Sequence, residues 1–397
     1  MRRLFLFLSS LIVCVCLSVV ADRLAGVLWP RQEPTIGLIF PRNAKYQFRT
    51  CEFSFSVETN SLGFRDREFE PGKTAKTRIL TIGDSFTYGW GVEASQTWPK
   101  LLEDSLRTSG ADVEIANLGQ PGASPKTYAD IAEKAVPLLK PDLLVIAVLE
   151  GDDLSQMEAV PDYGEQGGRE NKRTVRHLLQ GFAERLYPHF VLLMKERSKE
   201  SLQTNRWKED ADSFISRMNL NQQERFEKLD PQVRESFLKG ELNPALVYLS
   251  ITKPDYWRHT LDPTSTSSRS LIGAMAKELE RIKKVARDYS ARVVVVSVPY
   301  GIYVSAESFK SRQRLGFSVA PEMLTANVEG DAIASASQMA GLRFYDFTSQ
   351  FRSACVKSDL FFKLDGHFNC EGHRYFSEIL FPVIQKALTE AEFTDSG

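Results

Sequence analysis

Cysteine is scarce, with five in 397 residues, too few for a disulfide-dense scaffold. An excess of charge is also missing. Against 50 Lys and Arg stand 51 Asp and Glu, a formal net charge of -1. That balance argues against nucleic-acid binding by bulk phosphate attraction. No internal repeat is visible, and low complexity is confined to the short Ser/Thr cluster Thr264–Ser268. Histidine is rare, at five, which narrows the choice of any general base. What the chain does have is 43% hydrophobic residues, ample for a core, so a wholly disordered chain is excluded. The length exceeds one typical domain, which points to one large decorated domain or two smaller ones.

One long apolar run is present, and it stands at the front. Met1-Arg2-Arg3 precedes 18 residues, Leu4 to Ala21, without a charge, Gly or Pro. As a helix this run would rise about 27 Å, close to the roughly 30 Å hydrocarbon core of a bilayer. Residues 1–21 are therefore expected to be a membrane anchor. A cleaved signal peptide is the alternative, since Val19-Val20-Ala21 offers small residues for cleavage. Arg2 and Arg3 favour the cytoplasmic side. The expectation is a membrane-anchored protein whose body is extracytoplasmic, periplasmic or extracellular, or a secreted one after cleavage.

Residues 22–75 read as a lead-in with short strands, punctuated by Pro30, Pro34 and Pro41; Phe53–Val57 alternates with period 2. A repeating β/α pattern follows. Strands are expected at Arg78–Ile82, Val113–Leu118, Asp142–Leu149, Arg292–Val298 and Leu342–Phe347. Helices are expected over Trp98–Leu106, Thr127–Leu139, Thr266–Tyr289, Asp331–Met339 and Glu371–Glu390. Near-continuous apolar strands such as DLLVIAVL suit a sheet covered on both faces. The fold class is α/β, a three-layer sandwich around a roughly five-stranded parallel sheet. Residues 76–154 and 263–392 form this domain. Residues 155–262, charged and helix-prone with apolar patches at Phe190–Met194 and Leu246–Leu249, read as a helical insertion.

Three places at strand ends carry chemistry. Gly83-Asp84-Ser85 ends the first strand of the repeat, where α/β sheets bind ligands; taken alone, the tripeptide reads first as an ordinary helix N-cap. Asp365-Gly366-His367 lies just before the last helix. In extended backbone, i and i+2 share a side, so Asp365 can hold the His367 ring while its other nitrogen takes a proton from Ser85. His373 is the competing histidine and reads as a packing residue. His367, Cys370 and His373 fall at intervals of three, but they supply only three zinc ligands and no CxxC pair accompanies them. No metal or other cofactor is expected. Asn117–Gly122 and Glu150–Leu154 follow the second and third strands; a Gly there lets backbone N–H groups approach a developing negative charge.

Taken together, these blocks resemble the SGNH (GDSL-like) hydrolases. Gly83-Asp84-Ser85 resembles their first block and Gly122 falls at their second-block Gly. Gly151-Asp152-Asp153 looks like the third block, and Asp365-Gly366-His367 like the last. The order is the family's, and the resemblance spans about residues 50–390 apart from the insertion. The Asn60–Arg65 turn and the Asn and Gly-His after Asp-x-His look like the membrane-anchored, extracytoplasmic branch, some members of which remove or transfer acetyl groups on polysaccharides. The resemblance implies a flavodoxin-like fold, with Ser85 as nucleophile, His367 as base and Asp365 as its orienter. It places Ser85 and Gly122 N–H groups and the residue at 152 in the oxyanion hole.

Position 152 departs from the pattern, because the family has Asn there. An ionised Asp accepts but cannot donate, and at about 4 Å it would repel an oxyanion by roughly 4 kcal/mol at an effective dielectric of 20. One lost donor costs about 100- to 1,000-fold. Burial that keeps Asp152 protonated, a substitute donor, or weak or lost activity are the three outcomes. A Cys355–Cys370 disulfide would enclose the Asp365–His367 segment and stabilise it by about 3 kcal/mol; the alternative is that Cys51, Cys355 and Cys370 are free, mostly buried thiols. The implied activity is a serine esterase or acyl-esterase acting on an acylated small molecule or polysaccharide, with carbohydrate O-acetyl groups as the best fit. The alternatives are an O-acyltransferase on polysaccharide and a non-catalytic glycan-binding or assembly protein. Nucleic acid is not an expected partner, and the sequence names no protein partner.

Overall fold

Alternation along five strands builds the centre of the molecule. In the computed structural model, which describes residues 9–10, 13–14, 17–24, 42–70, 72–157, 187, 203–257 and 265–389, the strands are β3 (Thr77–Gly83), β4 (Val113–Asn117), β5 (Leu143–Leu149), β6 (Arg292–Val298) and β7 (Arg343–Tyr345), after a hairpin of β1 (Lys45–Arg49) and β2 (Ser54–Glu58). The five pair in parallel in the order β4-β3-β5-β6-β7, the expected α/β sandwich. Ile79, Ile115, Val145 and Val294 point to one face, and Leu80, Ala116, Ile146 and Val295 to the other. Both faces are covered, which is why β5 reads as an unbroken apolar run. Each such Ile, Leu or Val contributes about 1.5–3 kcal/mol on burial.

On the first face lie the helices Trp98–Thr108 and Cys370–Thr389, through Trp98, Leu102, Leu106, Phe376, Leu380 and Ile384. On the second lie Pro125–Leu139, Thr266–Asp288 and Val328–Met339.

The chain divides into two compact units, one of residues 1–35 and 160–201, the other of residues 36–159 and 202–397. The residues expected as one insertion, 155–262, are thus shared between the two. Within the larger unit they contribute helices at Gln203–Ile215, Leu220–Glu227, Pro231–Leu238 and Pro244–Thr252. Phe214, Val233, Phe237, Val247 and Trp257 from this region share one core with the first face of the sheet. The patch at 246–249 falls on the last of these helices, whereas Phe190–Met194 lies outside the described residues. In the smaller unit, Ser18 Oγ and Tyr187 Oη are 2.8 Å apart. Among the described residues no helix is long and apolar enough to cross a membrane; the run at 4–21 is only partly among them.

The β1–β2 hairpin packs Phe55 and Val57 on Tyr88 and Trp90, the loop that follows Ser85. Arg65 locks that junction. Its buried guanidinium donates to Gly89 O at 2.8 Å, Val92 O at 2.7 Å and Ser56 O at 2.7 Å, and lies over the Phe55 and Tyr88 rings. A turn with Asn60 Oδ1 accepting from the N–H groups of Leu62 and Phe64 sets it there. Hydrogen bonds to charged groups are worth about 1.5–3 kcal/mol, and buried carbonyls left unpaired are costly. Arg65→Ala should therefore lower unfolding stability by about 3 kcal/mol in urea titration. Arg65→Lys should recover little, since an ammonium cannot span the same fork.

Candidate active site

Gly83 closes β3, and Asp84 turns the chain into a one-turn helix, Ser85–Tyr88. Asp84 Oδ1 caps that helix by accepting from Phe86 N at 2.9 Å. Asp84 therefore acts as the helix cap, and Ser85 next to it stands free of that role. Ser85 Oγ, partly exposed, lies 2.7 Å from His367 Nε2. His367 Nδ1 bonds Asp365 Oδ1 on the other side of the ring. Three residues spanning 282 positions of sequence therefore form one hydrogen-bonded line at the carboxyl edge of the sheet. Phe86 and Trp90 flank the imidazole, with ring centroids at 4.8 and 6.3 Å.

Asp365 is buried. Burial alone would raise its pKa, but the charge and hydrogen bond of His367, helped by Arg312, hold it below the usual carboxylate range. An ionised Asp365 accepts from Nδ1–H, which leaves Nε2 as the acceptor that faces Ser85 Oγ.

The loop carrying this pair is gripped from both sides by residues that sequence patterns did not single out. Glu52, from the turn between β1 and β2, accepts from Leu364 N at 2.9 Å and Asp365 N at 2.7 Å. Arg312 donates to Leu364 O at 3.2 Å and Asp365 O at 2.8 Å. Gly366 adopts φ +87°, and a Cβ there would strike the Arg312 guanidinium, so only glycine fits. No spacing rule reveals Glu52 or Arg312; the only sequence signal is a buried-type charge without a local partner.

The expected disulfide is absent. Cys355 and Cys370 are both free, Cys355 half-buried at the end of the helix Thr348–Cys355 and Cys370 exposed at the start of the last helix. Backbone pairing closes the segment between them instead. Phe361 and Phe368 form an antiparallel bridge, Phe362 N donates to His367 O at 2.8 Å, and Asn369 N donates to Leu360 O at 3.1 Å. Burial pushes the Cys355 thiol up to about 12, so it is a poor nucleophile for exchange.

The candidate oxyanion residues sit on neighbouring loops. Gln120 N donates to Gly83 O at 3.0 Å, drawing the loop after β4 beside Ser85. Two residues on, Gly122 is exposed with φ +72° and open space at its Cβ position. Asp152 opens the short helix after β5. Its Oδ1 accepts from Tyr256 Oη at 2.9 Å and its Oδ2 from Gln156 Nε2 at 2.7 Å. Burial raises its pKa, with these two donors and His367 opposing. Asp153 is fully buried and accepts from Tyr128 Oη at 2.9 Å and Leu149 N at 2.8 Å. Burial pushes Asp84 up to about 7, and Asp152 adds to that rise.

His367, Cys370 and His373 do not converge. His373 is fully buried and its Nδ1 accepts from Trp98 N at 3.2 Å. Among the described residues no group of three or more His, Cys, Asp or Glu could hold a metal ion. His177, His189 and His259 lie outside the described residues.

A Ser–His–Asp line at the carboxyl edge of a parallel α/β sheet is the layout of a serine hydrolase. The chain belongs to the GDSL-like lipase/acylhydrolase family, whose model matches residues 79–380. Among solved structures it is similar to the psychrotrophic esterase EstA from Pseudoalteromonas sp., at 11% identity over 79% of this chain and 100% of that one, TM-score 0.40. It is also similar to the lipase/acylhydrolase from Enterococcus faecalis, at 11% identity over 78% and 96%, TM-score 0.39. A third is a catalytic mutant of Axe2, an acetylxylan esterase from Geobacillus stearothermophilus, at 11% identity over 81% and 98%, TM-score 0.35. No curated protein matches the chain.

Burial, then the charges of Arg65 and His367, depress His373 to about 3. Below its ordinary value near 6.5 the unfolded chain takes up a proton that the folded one refuses. Stability contributed by this residue is thus intact above about 6.5 and drains away as pH falls towards 3. Denaturant titrations at pH 6.5 and 5 should show the wild type losing about 2 kcal/mol more than His373→Asn, which keeps an acceptor near Nδ1 and does not titrate.

Proposed function

We propose that this protein is a serine ester hydrolase in which Ser85 attacks the ester carbonyl, His367 is the general base and Asp365 orients and charge-balances it. The observation that carries the reading is the continuous hydrogen-bonded line from Ser85 Oγ through both nitrogens of His367 to Asp365. Attack transfers the serine proton to Nε2 as the Oγ–C bond forms. The tetrahedral oxyanion collapses and expels the alcohol, which takes that proton from the imidazolium. Water, activated by the same nitrogen, then releases the acid from the acyl-enzyme. Backbone N–H groups of Ser85 and Gly122 are proposed to face the oxyanion, with the residue at 152 as third participant.

The proposed substrate is an O-acyl group, acetyl above all, on a carbohydrate. Trp207, partly exposed, lies 6.4 Å from the buried Trp90, centroid to centroid, and Trp90 stands beside the imidazole. Flat, amphipathic faces of this kind suit a ring with one apolar side. The apolar run behind Arg2 and Arg3 supports an anchored, extracytoplasmic placement.

Ser85→Ala should reduce hydrolysis of a chromogenic acetate ester by at least about 10,000-fold without shifting the thermal midpoint. A fluorophosphonate probe should label the wild type and leave the variant unlabelled. Wild-type turnover that survives in Ser85→Ala would sink the mechanism.

A further inference from the structure

Glu150, at the carboxyl end of β5, is fully buried and poorly served by its neighbours. Its Oε1 lies 2.6 Å from Thr348 Oγ1. That hydroxyl has one hydrogen, and Asp346 Oδ1 lies 2.5 Å from the same oxygen. Glu150 Oε2 has no hydrogen-bond partner. Among the described residues no Lys or Arg bonds to Glu150. A buried carboxylate in this position is strongly disfavoured unless a counter-charge meets it.

Glu150 lines a small cavity together with Asn327, Glu329, Tyr303 and Arg352. Asn327 Nδ2 donates to Asp346 Oδ2 at 2.6 Å, which fixes the amide. Its Oδ1 is then a buried acceptor without a donor. Glu329, also buried, accepts from Gly151 N and the Tyr303 hydroxyl. Arg352 donates to the backbone oxygens of Tyr303 at 3.0 Å, Thr325 at 3.1 Å, Met323 at 3.4 Å and Ala326 at 2.5 Å, so its guanidinium is held on carbonyls rather than on Glu150. Two acceptor oxygens without donors therefore belong to one lining. A proton on Glu150 would serve only one of them, because an amide oxygen accepts and does not ionise. A water could bond both but would bring no charge. A cation serves both and meets the charge as well.

We propose that this cavity is a binding site for a hard divalent cation, Ca²⁺, held by Glu150 Oε2, Asn327 Oδ1 and Glu329. Ala326, Asn327 and Val328 form its half-exposed rim, through which water completes the shell. Ca²⁺ accepts irregular shells of about six to eight mixed oxygens, whereas Mg²⁺ demands a near-ideal octahedron. Asp346 is outside the lining, so two carboxylates reach the ion and the site is a weak one. The ion takes no part in ester chemistry. It joins the two supports of one turn, since Glu150 leads into Gly151 and Glu329 holds the Gly151 N–H. Its effect on the neighbouring Asp152 is to stiffen the turn on which that residue stands.

The test uses full-length protein stripped with a chelator, at about pH 8.5, where protons compete least for carboxylates. Calorimetric titration with CaCl₂ should show one ion per chain with Kd of about 0.1–1 mM. About 10 mM CaCl₂ should raise the thermal midpoint by about 3 °C over NaCl of equal ionic strength. Glu150→Gln, equal in size but uncharged, should weaken binding at least about tenfold and lose the midpoint rise. Glu224→Gln, at an exposed ion pair on another helix, should change neither. Tb³⁺, which occupies Ca²⁺ sites, should emit on tyrosine excitation, and that emission should fall with excess Ca²⁺ and in Tyr303→Phe. This comparison decides the question if Glu150→Gln does not fold. A folded wild type that shows neither heat nor midpoint rise overturns the site and leaves a proton or water as the partner of Glu150. Binding undiminished in Glu150→Gln, or weakened equally in Glu224→Gln, overturns it too, as does Tb³⁺ emission unchanged in Tyr303→Phe. Ser85→Ala should bind as the wild type does, because the cation site and the esterase reading stand or fall separately.

Discussion

One imidazole ties the two ends of the larger unit together. His367 stands on a loop just before the last helix, yet its Nε2 lies 2.7 Å from a hydroxyl at the end of the first central strand. A bond that short between such distant segments leaves little tolerance, since a displacement of about 1 Å at a reacting centre costs on the order of 100-fold in rate. The packing around it fits that demand. Phe86 and Trp90 lie against the His367 ring, Phe368 next to it packs edge-on against Phe86, and the last helix is clamped on the sheet by Phe376, Leu380 and Ile384.

The polar bracing follows the same logic. Glu52 takes the loop's N–H groups and Arg312 its carbonyls, so every charge spent there also satisfies buried backbone. Arg65 does for the loop after Ser85 what Arg312 does for the loop around Asp365. In each case a guanidinium reads several carbonyls at once, which one neutral side chain could not do. The proposed nucleophile and the proposed base are thus held by parallel devices that meet only at the imidazole.

Much of this was legible in the residues themselves. All five strands of the sheet fall where they were expected: β3 to β6 because burial leaves long apolar runs, and the half-exposed edge strand β7 as a shorter piece of its expected span. Arg292–Val298 is found as expected, and Asp142–Leu149 differs from β5 by one residue. Gly-Asp-Ser and Asp-Gly-His were visible because their geometry is local, the first at a strand end and the second in the loop before the last helix. The long-range partners were hidden. Glu52, Arg312 and Tyr256 look like surface residues in the sequence, and only the fold shows that each is aimed at one backbone segment or one carboxyl. The expected Cys355–Cys370 bridge failed for a related reason: sequence separation reports what a bridge would enclose, not whether backbone pairing has already closed the same loop. The helices at 203–252 read as added material, yet their apolar sides complete the core over the sheet.

The grip of Glu52 has an implication for what counts as a module. Residues 79–380 are what recurs across the family, but the carboxylate that orders Leu364 and Asp365, the Arg65 fork and the aromatic face of the β1–β2 hairpin all lie upstream of that span. A boundary drawn by recurrence is therefore not a boundary in free energy. The matched span carries Ser85, Asp365 and His367, and the segment in front of it holds the loops on which they stand. Change in that outlying strip can retune the centre without touching any residue of the matched span.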